Sequence, residues 1–296
     1  AVPARVPVAP EPLPVPVVDN HAHLDIARHG EEGMPVTQAL AAALAVGVDR
    51  VVHVACDLDS IAALPALLDA HPSVLGAAAL HPNDAARLAA RGELAAAYAA
   101  VEAALADPRV RTVGETGLDY FRTDEVGRPA QEESFRWHID LAKRTGRALQ
   151  IHDRDAHDDV LRILAEEGAP ERTVLHCFSG DAAMAREAVA RGYYLSYAGT
   201  VTFKNAEGLR EALRLTPLEQ VLVETDAPYL APHPWRGATN GSWLLPVTVR
   251  SIAEVLGRDV AEVCEVVSRT SEWVYGGWPS TSVADETDGA SVAPEM

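Results

Sequence analysis

The stretch Val17-Val18-Asp19-Asn20-His21-Ala22-His23-Leu24-Asp25 turns from apolar to polar within nine residues. Its front belongs to a β-type run, residues 15–20. Its end carries two histidines two positions apart, and side chains at i and i+2 on extended chain share a face. Both imidazoles can therefore reach one point. The same arrangement, a short apolar run closed by polar residues, recurs along the chain. Further strand candidates are residues 50–55, 74–80, 110–115, 147–152, 173–176, 193–196 and 220–224. Between them lie stretches rich in Ala, Leu, Glu and Arg with helical spacing, such as 134–144, 158–167 and 183–190. Two last helices are expected at 246–256 and 259–272. Strands alternating with helices predict a parallel sheet with helical crossovers. Continuous apolar strands fit a sheet covered on both faces. Eight such units predict an α/β fold of the closed (β/α)8 TIM-barrel type. An open, doubly wound sheet is the alternative, because periodicity cannot show closure.

A length of 296 residues suits one such barrel. With 48% hydrophobic but only 5% aromatic residues, the core must be built mainly from Ala, Val and Leu. The barrel domain is expected over residues 17–278. Residues 1–16, broken by Pro3, Pro7, Pro10, Pro12, Pro14 and Pro16, are expected to form a flexible tail. Residues 279–296 carry Asp285, Glu286, Asp288 and Glu295 without a base and are expected to be a disordered acidic tail. Cys56, Cys177 and Cys264 are too few and too scattered for a disulfide framework and fit a reducing compartment. No apolar run reaches the roughly 18 residues of a membrane span, and the start lacks a signal-peptide core. These features predict a cytoplasmic monomer without a stable protein partner and without membrane contact.

In barrel enzymes the site lies at the C-terminal ends of the strands. Here strand one ends in His21-Ala22-His23, strand four in Gly114-Glu115, strand five in His152, strand six in His176 and strand eight in Glu224-Thr225-Asp226. A lone histidine at a strand end is usually a hydrogen-bonded structural residue, and His53, His71, His138 and His157 are read that way. His21, His23, Glu115, His152, His176 and Asp226 together read as metal ligands. Imidazole nitrogen and carboxylate oxygen bind Zn²⁺, Mn²⁺ and similar ions. Six ligands exceed what one catalytic ion needs and predict two divalent ions, Mg²⁺, Mn²⁺ or Zn²⁺, sharing a bridging carboxylate. Glu115 suits the bridge. His21, His23 and Asp226 would hold one ion, from strands that become neighbours when the barrel closes; His152 and His176 would hold the other. Asp226 has a second expected role, taking the proton of the attacking water.

Several long segments resemble the TatD family of metal-dependent deoxyribonucleases across about residues 17–275. They are Asp19-Asn20-His21-Ala22-His23-Leu24-Asp25, Gly114-Glu115-Thr116-Gly117-Leu118-Asp119-Tyr120, His152-Asp153-Arg154-Asp155-Ala156 and His176-Cys177-Phe178-Ser179-Gly180. The segments Gly199-Thr200-Val201-Thr202-Phe203-Lys204-Asn205-Ala206 and Glu224-Thr225-Asp226-Ala227-Pro228-Tyr229-Leu230 complete the set. The resemblance implies a barrel hydrolase with a divalent metal pair, often a magnesium-dependent nuclease of DNA ends, with the metal roles on the six residues above. It further implies substrate contacts for His81 and Arg154, and a hydrogen bond from Glu224 to a ligand. Otherwise, His81 is a turn residue before Pro82 and Arg154 an ion-pair partner of Asp119 or Asp155. Two places depart from the family: Ala79 stands where glycine is usual, and Gly241-Ser242-Trp243 replaces an acidic residue and proline after Asn240.

The net charge of -18 argues against a broad basic surface for nucleic acid. The substrate expected is therefore a short or single-stranded DNA end, cleaved by a 3′–5′ exonuclease whose water is activated by two metal ions. Arg122, Arg128, Arg154, Arg236 and Lys204 would supply local positive charge, and Trp235 or Tyr120 would either stack a base or simply pack. One alternative is the same site acting on an ester, lactone or amide, including aminoacyl-tRNA deacylation. A barrel with a carboxylated bridging lysine is disfavoured, because neither Lys143 nor Lys204 lies at the end of strand four. A non-catalytic binding protein is the other alternative; six intact ligand candidates argue against it, since such a buried cluster is costly without its ion.

Overall fold

A computed structural model describes residues 7–28 and 33–278. Eight strands lie in sequence order, every neighbouring pair parallel. They are β1 (Val17–Ala22), β2 (Val48–Ala55), β3 (Val74–Ala78), β4 (Val110–Asp119), β5 (Ala148–Arg154), β6 (Thr173–Leu175), β7 (Tyr194–Tyr197) and β8 (Val221–Val223). Helices cover the outside in the crossovers, among them α1 (Val36–Ala45), α2 (Leu58–Ala70), α3 (Pro82–Ala90), α4 (Leu94–Ala104) and α5 (Arg128–Thr145). They continue as α6 (His157–Glu167), α7 (Ala182–Ala190), α8 (Glu207–Leu215), α9 (Leu245–Leu256) and α10 (Val260–Tyr275). This is the (β/α)8 barrel expected from the alternation. Two strands run further than their apolar runs suggest: β4 continues past Glu115 to Asp119, and β5 past His152 to Arg154. In both the polar extension pairs with its neighbour, Gly117 opposite His152 and Asp119 opposite Arg154. No helix among the described residues is long and apolar enough to cross a membrane.

Local sequence starts and stops the helices. Asp57 and Ser60 form a capping box at α2, and Asp181 and Asp259 accept the free backbone N–H groups of α7 and α10. Gly146 and Gly257 end α5 and α9 in the left-handed conformation. The larger apolar layer lies between strands and helices. A smaller one, including Val18, Val52, Val54, Leu75, Val174 and Leu222, is closed by Tyr275 from the end of α10.

The Pro-rich start, expected to be a mobile tail, is tied to the barrel over its described part. Leu13 is buried and its N–H reaches the Val46 carbonyl at 3.0 Å. Arg250 donates to the carbonyls of Glu11 and Pro12, and Ser268 to that of Pro16. Proline rings remove donors but leave every carbonyl free to accept, and these side chains use them. The acidic tail expected over 279–296 lies outside the described residues.

Closure is made at the seam between β1 and β8. Ala22 bridges Ala227 in parallel, His23 N–H donates to the Ala227 carbonyl at 2.8 Å, and Asp226 N–H to the His21 carbonyl at 2.9 Å. Beneath them the fully buried Asp19 accepts from the Thr225 N–H (2.9 Å), the Thr225 hydroxyl (2.6 Å) and the Ser242 hydroxyl (2.7 Å). Burial pushes this carboxyl up to about 6 against those hydrogen bonds. Asp19→Ala removes the acceptor of four buried donors, the His21 N–H at 3.4 Å being the fourth. It should lower the unfolding free energy by about 2–4 kcal/mol in urea denaturation; a loss below about 0.5 kcal/mol, the level of an ordinary surface substitution, would show that the seam does not depend on this side chain.

Candidate metal centre

The strand ends deliver their polar side chains to one buried centre. Glu115 lies in the middle of it, 4% exposed. Its Oε1 meets His152 Nδ1 at 2.7 Å and His176 Nε2 at 3.2 Å. Its Oε2 faces His21 Nε2 at 3.4 Å and His23 Nε2 at 3.7 Å. Asp226 Oδ1 faces the same two histidines at 3.8 and 3.7 Å. His21, His23 and Asp226 thus form one group able to hold an ion, and Glu115, His152 and His176 another. One oxygen of Glu115 is turned to each, and two further groups, His21 with His176 and Glu224 and His81 with Asp119 and His152, lie equally close among the described residues.

Every histidine of the centre is anchored through its other nitrogen. His21 Nδ1 meets Gln150 Oε1 at 3.0 Å, and His23 Nδ1 meets the Val54 carbonyl at 3.0 Å. His152 Nε2 meets Asp119 Oδ2 at 3.3 Å, and His176 Nδ1 meets Glu224 Oε1 at 3.1 Å. A ring whose outer nitrogen is held by an acceptor presents its inner nitrogen as a lone pair when neutral. Glu224 therefore stands where the resemblance implied. Gln150 and Asp119 were not singled out in the sequence. Their signal was alternation: Gln150 is two residues before His152, and Asp119 four after Glu115, so each shares a strand face with a site residue.

His81 caps α3, its Nδ1 accepting the Asn83 N–H at 3.1 Å. Its Nε2 must then carry the proton when neutral, and it points at Glu115 Oε1, 3.4 Å away. His81 thus caps the helix and at the same time faces the centre. Arg154 is exposed beside the centre. It pairs with neither Asp119 nor Asp155 but stacks over Phe121 at 4.1 Å. Tyr120 packs: its hydroxyl donates to Asp159 at 2.7 Å and Arg128 covers its ring at 4.2 Å. Arg236 stacks on Phe203 at 4.6 Å. Among the histidines set aside, His138 is buried and held by the Leu80 N–H and the Ser134 carbonyl. His53 accepts from the Leu24 N–H at 3.2 Å, and burial lowers it to about 3.

The charges follow from burial and crowding. Burial alone would raise Glu115, but the neighbouring His176 and His81 and hydrogen bonds from His152 and His176 hold it well below the usual carboxylate range. Burial alone would lower His176; Glu115 and Glu224 reverse this and keep it well above the usual range. His23 falls to about 4 through burial and the nearby His21. Asp226 is pushed up to about 7 by burial, against His21 and His176 and with help from Glu115 and Glu224. Asp226 also sits at φ 54°, and Cys177, next to His176, at φ 43°. Both are left-handed conformations that cost a non-glycine residue about 1–3 kcal/mol and concentrate at functional sites.

Fold and site together define a parallel barrel whose C-terminal rim carries a buried centre suited to divalent metal. The chain belongs to the TatD related DNase family, whose model matches residues 18–276. It is 48% identical over 269 residues to the uncharacterized metal-dependent hydrolase TatD of Mycobacterium tuberculosis, covering 88% of this chain and 99% of that one. Identity to the uncharacterized metal-dependent hydrolase YcfH of Escherichia coli K12 is 37% over 260 residues, covering 85% and 92%. The crystal structure of YJJV, a TatD homolog from Escherichia coli K12, superposes with a TM-score of 0.80 at 25% identity, over 88% of this chain and 98% of that one.

Gly117 shows how tightly the backbone holds this geometry. It lies at φ +136°, and a Cβ there would stand 2.1 Å from the His152 carbonyl oxygen. Gly117→Ala should therefore destabilise the protein by more than about 2 kcal/mol in chemical denaturation, through backbone strain and the clash with β5. Unchanged stability would contradict this contact.

Proposed function

We propose that the protein is a divalent-metal-dependent hydrolase that cleaves phosphodiester bonds at DNA ends, in the 3′–5′ direction, using two ions. One observation carries the reading. Four histidines have one nitrogen anchored and the other turned toward two carboxylates, and one inner nitrogen, the buried His21 Nε2, has no hydrogen-bond partner. A buried polar atom without a partner is costly, and a cation between it, Glu115 and Asp226 removes the cost. The donor set, imidazole and carboxylate, suits Zn²⁺ or Mn²⁺, with Mg²⁺ as a further candidate. The charge that His176 takes on between Glu115 and Glu224 is likewise one that an ion would supply. His21, His23 and Asp226 would hold one ion, His152 and His176 the other, with Glu115 shared.

Bound there, such ions supply Lewis-acid polarisation of a phosphoryl oxygen and lower the pKa of water. The remaining work falls to side chains of this chain. Asp226, with its proton affinity raised by burial, takes a proton from the attacking water. His81 donates from Nε2 to the negative oxygen of the substrate. Gln150, Asp119 and Glu224 keep the imidazoles in tautomer and orientation. The family description and the names of the two curated relatives support hydrolysis with metal, and the family description supports DNA as the substrate. The acidic charge of the chain favours one second reading, an uncharged ester, lactone or amide as substrate at the same centre.

End-labelled single-stranded DNA tests the choice. Nucleotide release is expected with Mn²⁺ or Mg²⁺ and none with EDTA. His152→Ala and Asp226→Ala should each lower the rate by at least on the order of 10²-fold. Near-wild-type rates in either variant would sink the metal assignment; turnover of an ester or lactone but not DNA would establish the second reading. Independently of activity, Zn²⁺ or Mn²⁺ added to EDTA-treated protein should raise its Tm. At about a hundred times Kd, binding adds about 2.7 kcal/mol, or roughly 4–5 °C for a chain of this size. A flat response to both ions would remove the centre from consideration.

A further inference from the structure

The rings lining the centre form a row. Centroids run from Tyr229 to His23 at 6.4 Å, His23 to His21 at 5.1 Å, His21 to His176 at 3.9 Å and His176 to His152 at 5.9 Å. Past His152 the row reaches Asp119. The Oδ2 atom of Asp119 meets His152, and its Oδ1 accepts the backbone N–H groups of Phe121 at 3.1 Å and Arg122 at 2.8 Å. One carboxylate thus fixes both the histidine and the loop that carries Phe121. At the other end Tyr229 is fixed through its backbone, donating to the Asp226 carbonyl at 2.9 Å and accepting from Asn240 Nδ2 at 2.7 Å.

Both terminal aromatics stand in water: Phe121 is 63% exposed and Tyr229 45%. Scattered exposed aromatics are ordinary on a protein surface. The backbone of each is held by a hydrogen bond to a residue at the centre, Phe121 to Asp119 beyond His152 and Tyr229 to Asp226 beside His23. Arg154 covers Phe121 at 4.1 Å, which places a guanidinium beside the ring. The net charge of -18 adds the decisive constraint. Nucleic acid held by its backbone needs many cationic contacts, and a chain with 43 acidic against 25 basic residues has few cations to offer them. Affinity must come from another source, and base–aromatic stacking is one that needs no charge.

We propose that Phe121 and Tyr229 are stacking platforms for unpaired nucleobases on the two sides of the phosphate at the centre. The inference rests on the nucleic-acid hydrolysis proposed above and names its substrate form. Bases in a duplex stack on one another and offer no free face, so the ligand is a single strand or a frayed end. Arg154 contributes one phosphate contact or a cation over the stacked pair. Recognition depends on the faces of the bases and only weakly on salt.

Binding of a short fluorescein-labelled oligothymidylate, followed by anisotropy in EDTA so that hydrolysis is stopped, tests this directly. Phe121→Ala and Tyr229→Ala should each weaken binding about tenfold, and Phe121→Trp should restore it. Wild-type affinity should fall less than about tenfold between about 50 and about 200 mM salt. Unchanged affinity in both alanine variants, a steep salt dependence, or no binding by the wild type would each overturn the proposal. Folding does not confuse the result, because both side chains are exposed; melting curves confirm it. The two readings fail separately. Binding that needs both platforms, with no cleavage when metal is added, sinks the nuclease and keeps the platforms. Cleavage with platform variants that bind as well as wild type does the opposite.

Discussion

The seam between β1 and β8 is the constraint on which the site depends. His21 and His23 leave one strand, Asp226 leaves the other, and nothing in the chain keeps them together except barrel closure. Closure is made by a few backbone hydrogen bonds above and one buried carboxylate below. Asp19 accepts from Thr225 on the far strand and from Ser242 in the loop beyond it. Its burial is unfavourable for a charge, as its raised proton affinity shows. These donors offset that cost and set the relative height of the two strands. A shift of one residue there would turn the paired histidines away from Asp226.

Above the seam, the centre is organised by mutual satisfaction. Each imidazole has an outer acceptor on a different element: a glutamine on β5, a carbonyl on β2, an aspartate on β4 and a glutamate after β8. Torsion and tautomer are thus set before any ligand arrives, which keeps the cost of binding low. Glu115 takes the opposite position. Both of its oxygens look inward, and it stays ionised although buried because His176 and His81 stand beside it and His152 and His176 hydrogen-bond to it. The cluster is a set of imidazoles and carboxylates braced from outside.

The chain as a whole is acidic, with a net charge of -18, which shapes what the centre can take. A chain with this charge repels long duplexes at a distance. Ligands that reach the rim are short, or are held by forces other than charge. Two of the arginines expected on the rim are engaged with aromatic rings, Arg154 with Phe121 and Arg236 with Phe203.

The barrel and its ligand candidates are legible in the sequence because both depend on local pattern. Apolar runs alternate with helical stretches, and a strand's last residues face the rim whatever the rest of the chain does. The spacing of His21 and His23, and the lone polar ends at Glu115, His152, His176 and Asp226, needed no contact map. Strand ends were read short at β4 and β5, because their extensions are polar and pair only through backbone bonds that side-chain hydropathy does not report. The Pro-rich start was read as loose for a related reason: composition lacks a periodic apolar face, but cannot show that Arg250 and Ser268 reach its free carbonyls. Gln150 and Asp119 lay in plain sight as polar residues on apolar strands, yet their partners are supplied by neighbouring strands. Which oxygen of Glu115 faces which histidine, which nitrogen of each ring is anchored, and that Tyr229 comes to lie beside His23 were decided by tertiary structure alone. Those facts depend on distances between residues far apart in the chain, and local periodicity carries no information about them.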